Sequence, residues 1–183
     1  MVNKMKKLIL ILAVFLLIGC EKDMNNTPTK RVEVFLSNYQ SLSEEVQAKI
    51  VSDVDEMPNL TEDEKKNYTD LWKKHYQNLT YEVKDEKVDG DNAIVTVEIE
   101  VTDYSKIIEN ANQMLTSNPT EFQDETGTYS PTRFNDYKLE AMKGSSDKVK
   151  YTLELNVQKI DKKWVLQDLT EDEYLKLSGM YVY

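Results

Sequence analysis

Two stretches of strict alternation constrain this chain more than anything else in it. Ala93, Val95, Val97, Ile99 and Val101 interleave with Ile94, Thr96, Glu98, Glu100 and Thr102, and Val149, Tyr151, Leu153, Leu155 and Val157 with Lys150, Thr152, Glu154, Asn156 and Gln158. Successive strand residues point to opposite faces, so each stretch has one dry face and one mostly wet face. That pattern belongs to an antiparallel sheet covered on one side. Each stretch also has a turn and a partner. Tyr81 and Val83 alternate ahead of Asp89-Gly90, and Asp161-Lys162 leads into Lys163-Trp164-Val165-Leu166, so two hairpins are expected. Lys162 stands where a glycine would relieve a left-handed turn.

Ahead of the first hairpin the period changes to that of a helix. Thr27-Pro28 offers an N-cap followed by a proline at the first helical position, and Val32, Phe35, Leu36 and Tyr39 share one face. Ser41-x-x-Glu44 predicts a restart, with Val46, Ile50 and Val54 continuing the apolar face to Pro58. Thr61-x-x-Glu64 opens a helix whose apolar positions are Tyr68, Leu71, Trp72, His75, Tyr76 and Leu79. Thr170-x-x-Glu173 caps a short last helix that stops near Gly179. Between the hairpins lies a connection over residues 105–147. Ile107, Ile108, Ala111, Met114 and Leu115 mark one helix in it, and Phe134, Tyr137, Lys138 and Ala141 another. Residues 116–131 read as loop, and connections of this length commonly carry specificity. The order of elements predicts an α+β domain with its N-terminal helices packed in the concavity of a curved antiparallel sheet.

The N-terminus has a different character. Lys4, Lys6 and Lys7 precede eleven unbroken apolar residues, 8–18, and Leu17-Ile18-Gly19-Cys20 closes the stretch. The run is too short for a bilayer-spanning helix, which needs about 20 apolar residues, and has the layout of a secretory signal. Leu17-Ile18-Gly19-Cys20 resembles the lipobox of bacterial lipoproteins. The resemblance implies cleavage before Cys20, a diacylglyceryl group on its sulfur, and a place on the outer face of the bacterial cytoplasmic membrane. The chain then divides into a signal peptide (1–19), a polar lipidated tether (20–27) and one domain (28–183) with an excursion at 105–147. Losing Lys4, Lys6 and Lys7 takes the net charge from −10 to −13. So acidic a body is repelled by phosphate backbones, which argues against nucleic acid as a partner. The bilayer would be engaged through the acyl chains on Cys20, for which two chains suffice. Cys20 is the only cysteine, so the folded body has no disulfide, thiolate metal site or cysteine nucleophile.

Leu79-Thr80-Tyr81-Glu82-Val83, Asp89-Gly90-Asp91-Asn92-Ala93 and Lys162-Lys163-Trp164-Val165-Leu166, with the lipobox, resemble lipoproteins of low-GC Gram-positive bacteria that carry a nuclear transport factor 2-like or cystatin-like domain. The resemblance covers roughly residues 28–178 and implies a cone-shaped α+β fold. That fold hosts enzymes, binders and assembly domains alike, so it does not assign a function.

Two side chains are candidates for catalysis. His75 is the only histidine and lies on the apolar face of its helix, where a hydrogen-bonded structural role competes with that of a general base. Asp103 continues the parity of Ala93 and Val101, which would aim a carboxylate into the dry side; alternatively it caps a helix beginning near Ser105. Glu98, Glu100 and Glu154 fall on outward faces without calcium-loop spacing, and no phosphate loop, nucleophile elbow or His-x-x-x-His motif occurs. No metal or cofactor is therefore expected. Phe122 and Tyr129, in the loop of the excursion, are the candidate binding residues. The leading expectation is an anchored binding or interaction module, engaging an envelope protein through the excursion. An isomerase- or dehydratase-like enzyme using Asp103 and an inhibitor or immunity lipoprotein are the alternatives.

Overall fold

The computed structural model describes residues 25–182. The expected signal segment, Cys20 and the tether up to residue 24 lie outside the described residues. Three helices come first: α1 (Pro28–Ser41), α2 (Glu44–Asp55) and α3 (Glu62–Gln77). The hairpin β1 (Thr80–Asp89) and β2 (Asn92–Thr102) follows. The excursion consists of α4 (Ser105–Ser117), a 3-10 turn (Pro119–Phe122) and α5 (Pro131–Gly144). β3 (Lys148–Ile160), β4 (Lys163–Leu166) and α6 (Glu171–Leu177) complete the chain. The strands form one curved antiparallel sheet in the order β1-β2-β3-β4, and the class is α+β as the alternation predicts.

Register explains why the two alternating stretches find each other. Ala93 pairs with Val157, Val95 with Leu155, Val97 with Leu153, Ile99 with Tyr151 and Val101 with Val149, so dry positions face dry positions along the whole length. Slipping by one residue would turn every one of these side chains to the wet face. The dry face is covered by Val32, Leu36 and Tyr39 of α1, Val46 and Ile50 of α2, and Tyr76 of α3, forming the main core with Leu79 and Trp164. Full burial of each such aliphatic side chain contributes about 1.5–3 kcal/mol. A second cluster (Val54, Tyr68, Leu71, Tyr104, Leu139 and Met142) fastens the excursion to α2 and α3 through α5. Trp72 packs against both clusters.

The caps at Thr27, Thr61 and Thr170 form where the sequence places them, the last two as full capping boxes. The restart after α1 differs by two residues. Ser41 ends α1, Leu42 takes a left-handed φ of 52°, and Ser43 caps α2 by accepting from the Val46 amide. The first hairpin turns on Gly90-Asp91, with Gly90 at φ 59°. In the second, Asp161 and Lys162 are both left-handed, at φ 49° and 66°. Two consecutive positive φ values define a type I′ turn, which favours glycine at its second position. Lys162→Gly is therefore expected to stabilise the protein by about 0.5–1 kcal/mol, net of the entropy of an added glycine. A lower denaturation midpoint in this variant would show that Lys162 earns its place through a side-chain contact.

Candidate functional site

The two hairpin turns lie at one end of the sheet; at the other, the excursion leaves β2 and returns into β3. There the backbone N–H of Asp103 donates to the carbonyl of Asp147 at 2.8 Å, closing the excursion at its base. A concavity of about 460 Å³ opens beside this closure. Helical spacing builds one wall. Asn67, Asp70, Leu71, Lys74, His75 and Asn78 recur three or four residues apart along α3, on a stripe rotated slightly from the helix's buried face. Thr102 and Tyr104 come from the end of β2, Lys143 from the last turn of α5, Ser145 and Ser146 from the following loop, and Lys148 from the start of β3.

Three lysines from three elements line the concavity. The Lys148 Nζ lies 3.3 Å from the Thr102 hydroxyl. Lys143 donates to the Asn67 side-chain oxygen at 3.3 Å and to Glu140 at 2.9 Å. Lys74 stands on the α3 wall, and Asp70 is the one acidic side chain in the lining. The concavity is thus locally cationic on a chain of net charge −10.

His75 stands at the inner end of the α3 wall and is 1% exposed. Its Nε2 lies 3.0 Å from the Leu177 carbonyl oxygen. A carbonyl only accepts, so Nε2 carries the proton and Nδ1 is the unprotonated nitrogen. Nδ1 is buried and has no hydrogen-bond partner among the described residues. The rings of Trp72, Tyr76 and Tyr104 stand around it, with centroids 5.5, 5.1 and 5.2 Å away. Burial pushes the His75 pKa down to about 4; the bond to Leu177 opposes this and the nearby Lys148 charge adds to it. The ring is neutral at physiological pH, and the geometry is that of a packed, anchored histidine.

Asp103 departs from its expected place. The strand ends at Thr102, and Tyr104 donates its backbone N–H to Gly179 at 2.8 Å, which turns the chain out of register. The Asp103 carboxylate accepts from the Ser105 amide at 3.0 Å and from its hydroxyl at 2.6 Å, fixing the start of α4. It is not part of the concavity's lining. Asp103 and His75 therefore do not form an acid–base pair across this site.

The loop of the excursion also differs from expectation. Phe122 is 1% exposed and packs edge-on against Phe134, with Ala111 beside it in a core of its own. It anchors the excursion from within and is not free to meet a partner. Tyr129 is 47% exposed. The loop between them is tied by Asp124, which accepts from the Thr126 amide and hydroxyl and from the Thr128 amide. The Thr126 hydroxyl is the main cause holding the Asp124 pKa below the ordinary carboxylate value. None of residues 116–131 lines the concavity.

Glu98, on the outward face, is engaged by Lys150 at 3.1 Å, with Lys84 at 3.7 Å. Among the described residues no group of three or more His, Cys, Asp or Glu side chains is placed to hold a metal ion, and no helix is long and apolar enough to cross a membrane. A second concavity, of about 700 Å³, lies between α1, α2 and the segment leading into α6, with Arg31, Phe35, Lys49 and Tyr174 in its wall. Sequence reasoning missed both concavities. The one available signal was the polar stripe Asn67, Asp70, Lys74 and Asn78 running beside the apolar face of α3. No protein-family model, curated protein or solved structure matches this chain.

Proposed function

We propose that this chain is an extracytoplasmic lipoprotein, anchored through Cys20, that binds a small anionic ligand, a carboxylate or phosphate ester, in the concavity at the open end of the sheet. The observation that carries the ligand class is the convergence of Lys74, Lys143 and Lys148 on one recess of an acidic chain. Such a recess focuses positive potential where the rest of the surface repels anions. Hydroxyls of Thr102, Ser145 and Ser146 and amides of Asn67 and Asn78 supply directional bonds around the charge. A binding role fits better than catalysis because neither candidate base is placed to act in the concavity. His75 is 1% exposed and burial lowers its pKa to about 4, and the Asp103 carboxylate lies outside the lining, bonded to Ser105. The anchor rests on the lipobox resemblance of residues 17–20.

The test uses the full acylated chain in detergent, with thermal shift and calorimetry against inorganic phosphate, citrate and a sugar phosphate. Binding of one of these is expected, together with its loss in Lys74→Ala/Lys148→Ala and its retention in Asp103→Asn. Binding confined to neutral ligands would remove the anionic assignment. Turnover of a small molecule, abolished in Asp103→Asn with the fold intact, would replace the binding module by an enzyme. For the anchor, Cys20→Ala should release the protein from membranes or leave an uncleaved precursor. Unchanged partitioning into detergent, without precursor, would refute acylation.

A further inference from the structure

The place where the chain joins the domain is tied down at the hairpin-turn end of the sheet. Asn26 grips the second hairpin with both ends of its amide. Its nitrogen donates to the Lys162 carbonyl at 2.9 Å, and its oxygen accepts from the Trp164 N–H at 2.9 Å. Thr29, in the first turn of α1, holds the first hairpin, donating its amide at 2.9 Å and its hydroxyl at 2.6 Å to Glu86. Both hairpins are thus stapled to the first few described residues. Only residues 21–25 separate Asn26 from Cys20. A chain of that length, fully extended, spans no more than about 20 Å. The strands are longer than this: β2 has 11 residues and so extends about 35 Å.

We infer that the domain stands on the membrane by its hairpin-turn end, with the lysine-lined concavity facing away from the bilayer. The inference rests on the membrane anchoring proposed above and adds to it a fixed orientation and a lipid-facing surface. The surface at that end suits the role. Ile94, Ile160 and Val165 lie exposed on the outer face of the sheet within a few residues of the turns, and Val88 is exposed at the same end on the other face. On that outer face Lys87 pairs with Ile94 and Lys163 with Ile160, and Lys159 and Lys162 lie in the same turn-end segments, against the carboxylates of Asp85, Glu86, Asp89, Asp91 and Asp161. Charge at this end is nearly balanced, so it is repelled by anionic headgroups less than the acidic surface of the chain as a whole. Exposed aliphatics bordered by lysine stems match the boundary between headgroups and acyl chains. The opposite end, with its concavity, is then presented to ligand at the outer side.

The test places one fluorescent label on the acylated full chain in vesicles of phosphatidylglycerol and phosphatidylethanolamine carrying a headgroup quencher. The acylated Cys20 sulfur does not react, so Val165→Cys and Ser146→Cys each give a single labelling site. Quenching is expected to be several-fold stronger from the Val165→Cys site than from the Ser146→Cys site. Asn26→Ala should narrow that difference while leaving the thermal melt of the domain largely unchanged, because the tether is then released from the hairpin. Protein that floats with vesicles but shows equal or reversed quenching overturns the orientation and leaves the anchor standing. Protein that fails to float with vesicles overturns the anchor and the orientation together. A difference that Asn26→Ala does not alter overturns the role given to the Asn26 staple.

Discussion

Gly179→Ala is expected to destabilise the protein by more than about 3 kcal/mol. Gly179 takes φ +70° and forms the left-handed step that ends α6. Its N–H donates to the Lys176 carbonyl and the Met180 N–H to that of Leu175, the paired bonds of a Schellman ending. Its carbonyl accepts from Tyr104, which brings this backbone against the end of β2. A Cβ here would fall inside the contact radius of the Thr102 carbonyl oxygen and lie 3.3 Å from the His75 ring. Neither the backbone of β2 nor a histidine held by Leu177 can yield cheaply. The loss would thus combine left-handed strain with displacement of α6 from the sheet. Gly144→Ala is the control, because nothing lies within 4 Å of the added carbon and φ there is not positive. Urea denaturation should show Gly144→Ala close to the parent protein. Equal midpoints for the two variants would mean that α6 does not approach β2 this closely.

The second large effect is a dependence of stability on pH through His75. Folding lowers its pKa from 6.5 to about 4, chiefly by burial. Between these values the unfolded chain binds a proton at this ring that the folded chain does not. Its contribution is therefore fully present above about pH 6.5 and is lost as pH falls towards 4. A shift of this size corresponds to about 3 kcal/mol over the window. Carboxylates titrate in the lower part of the same range, so the comparison is with His75→Gln. Between pH 7.5 and 4.5 the parent should lose about 3 kcal/mol more than the variant. Equal losses, or a ring whose NMR shifts report protonation near pH 6, would place His75 in solvent.

Much of the fold was legible because it follows from interactions between near neighbours in sequence. Thr61 and Glu64 need only each other to make a capping box, and Ala93 to Val101 show their dry face by period alone. Ser41 misled for a local reason as well. The left-handed Leu42 allowed Ser43, two residues later, to be the cap. The candidate site was much less legible. Lys74, Lys143 and Lys148 have nothing in common as sequence, and each reads as an ordinary surface lysine. Asp103 had the right parity for an inward carboxylate, but the parity ended when Tyr104 bonded to Gly179, far along the chain. Phe122 sat among prolines, threonines and a glycine, and read as exposed.

By itself, then, the sequence determined the alternation of the two long strands, the helix starts, the α+β class and the expectation of an anchor at Cys20. These depend on backbone period, capping and the length of an apolar run, all of which act over a few residues. Only the tertiary structure decided that His75 is buried, that Asp103 lies outside the recess, that Phe122 is a core residue and that three lysines share that recess. Each of those outcomes depends on what a distant segment brings against the residue: Leu177 and Tyr104 to His75, Gly179 to Tyr104, Phe134 to Phe122, and Thr102 to Lys148. Burial and local charge are set by such neighbours, and neither periodicity nor composition records them.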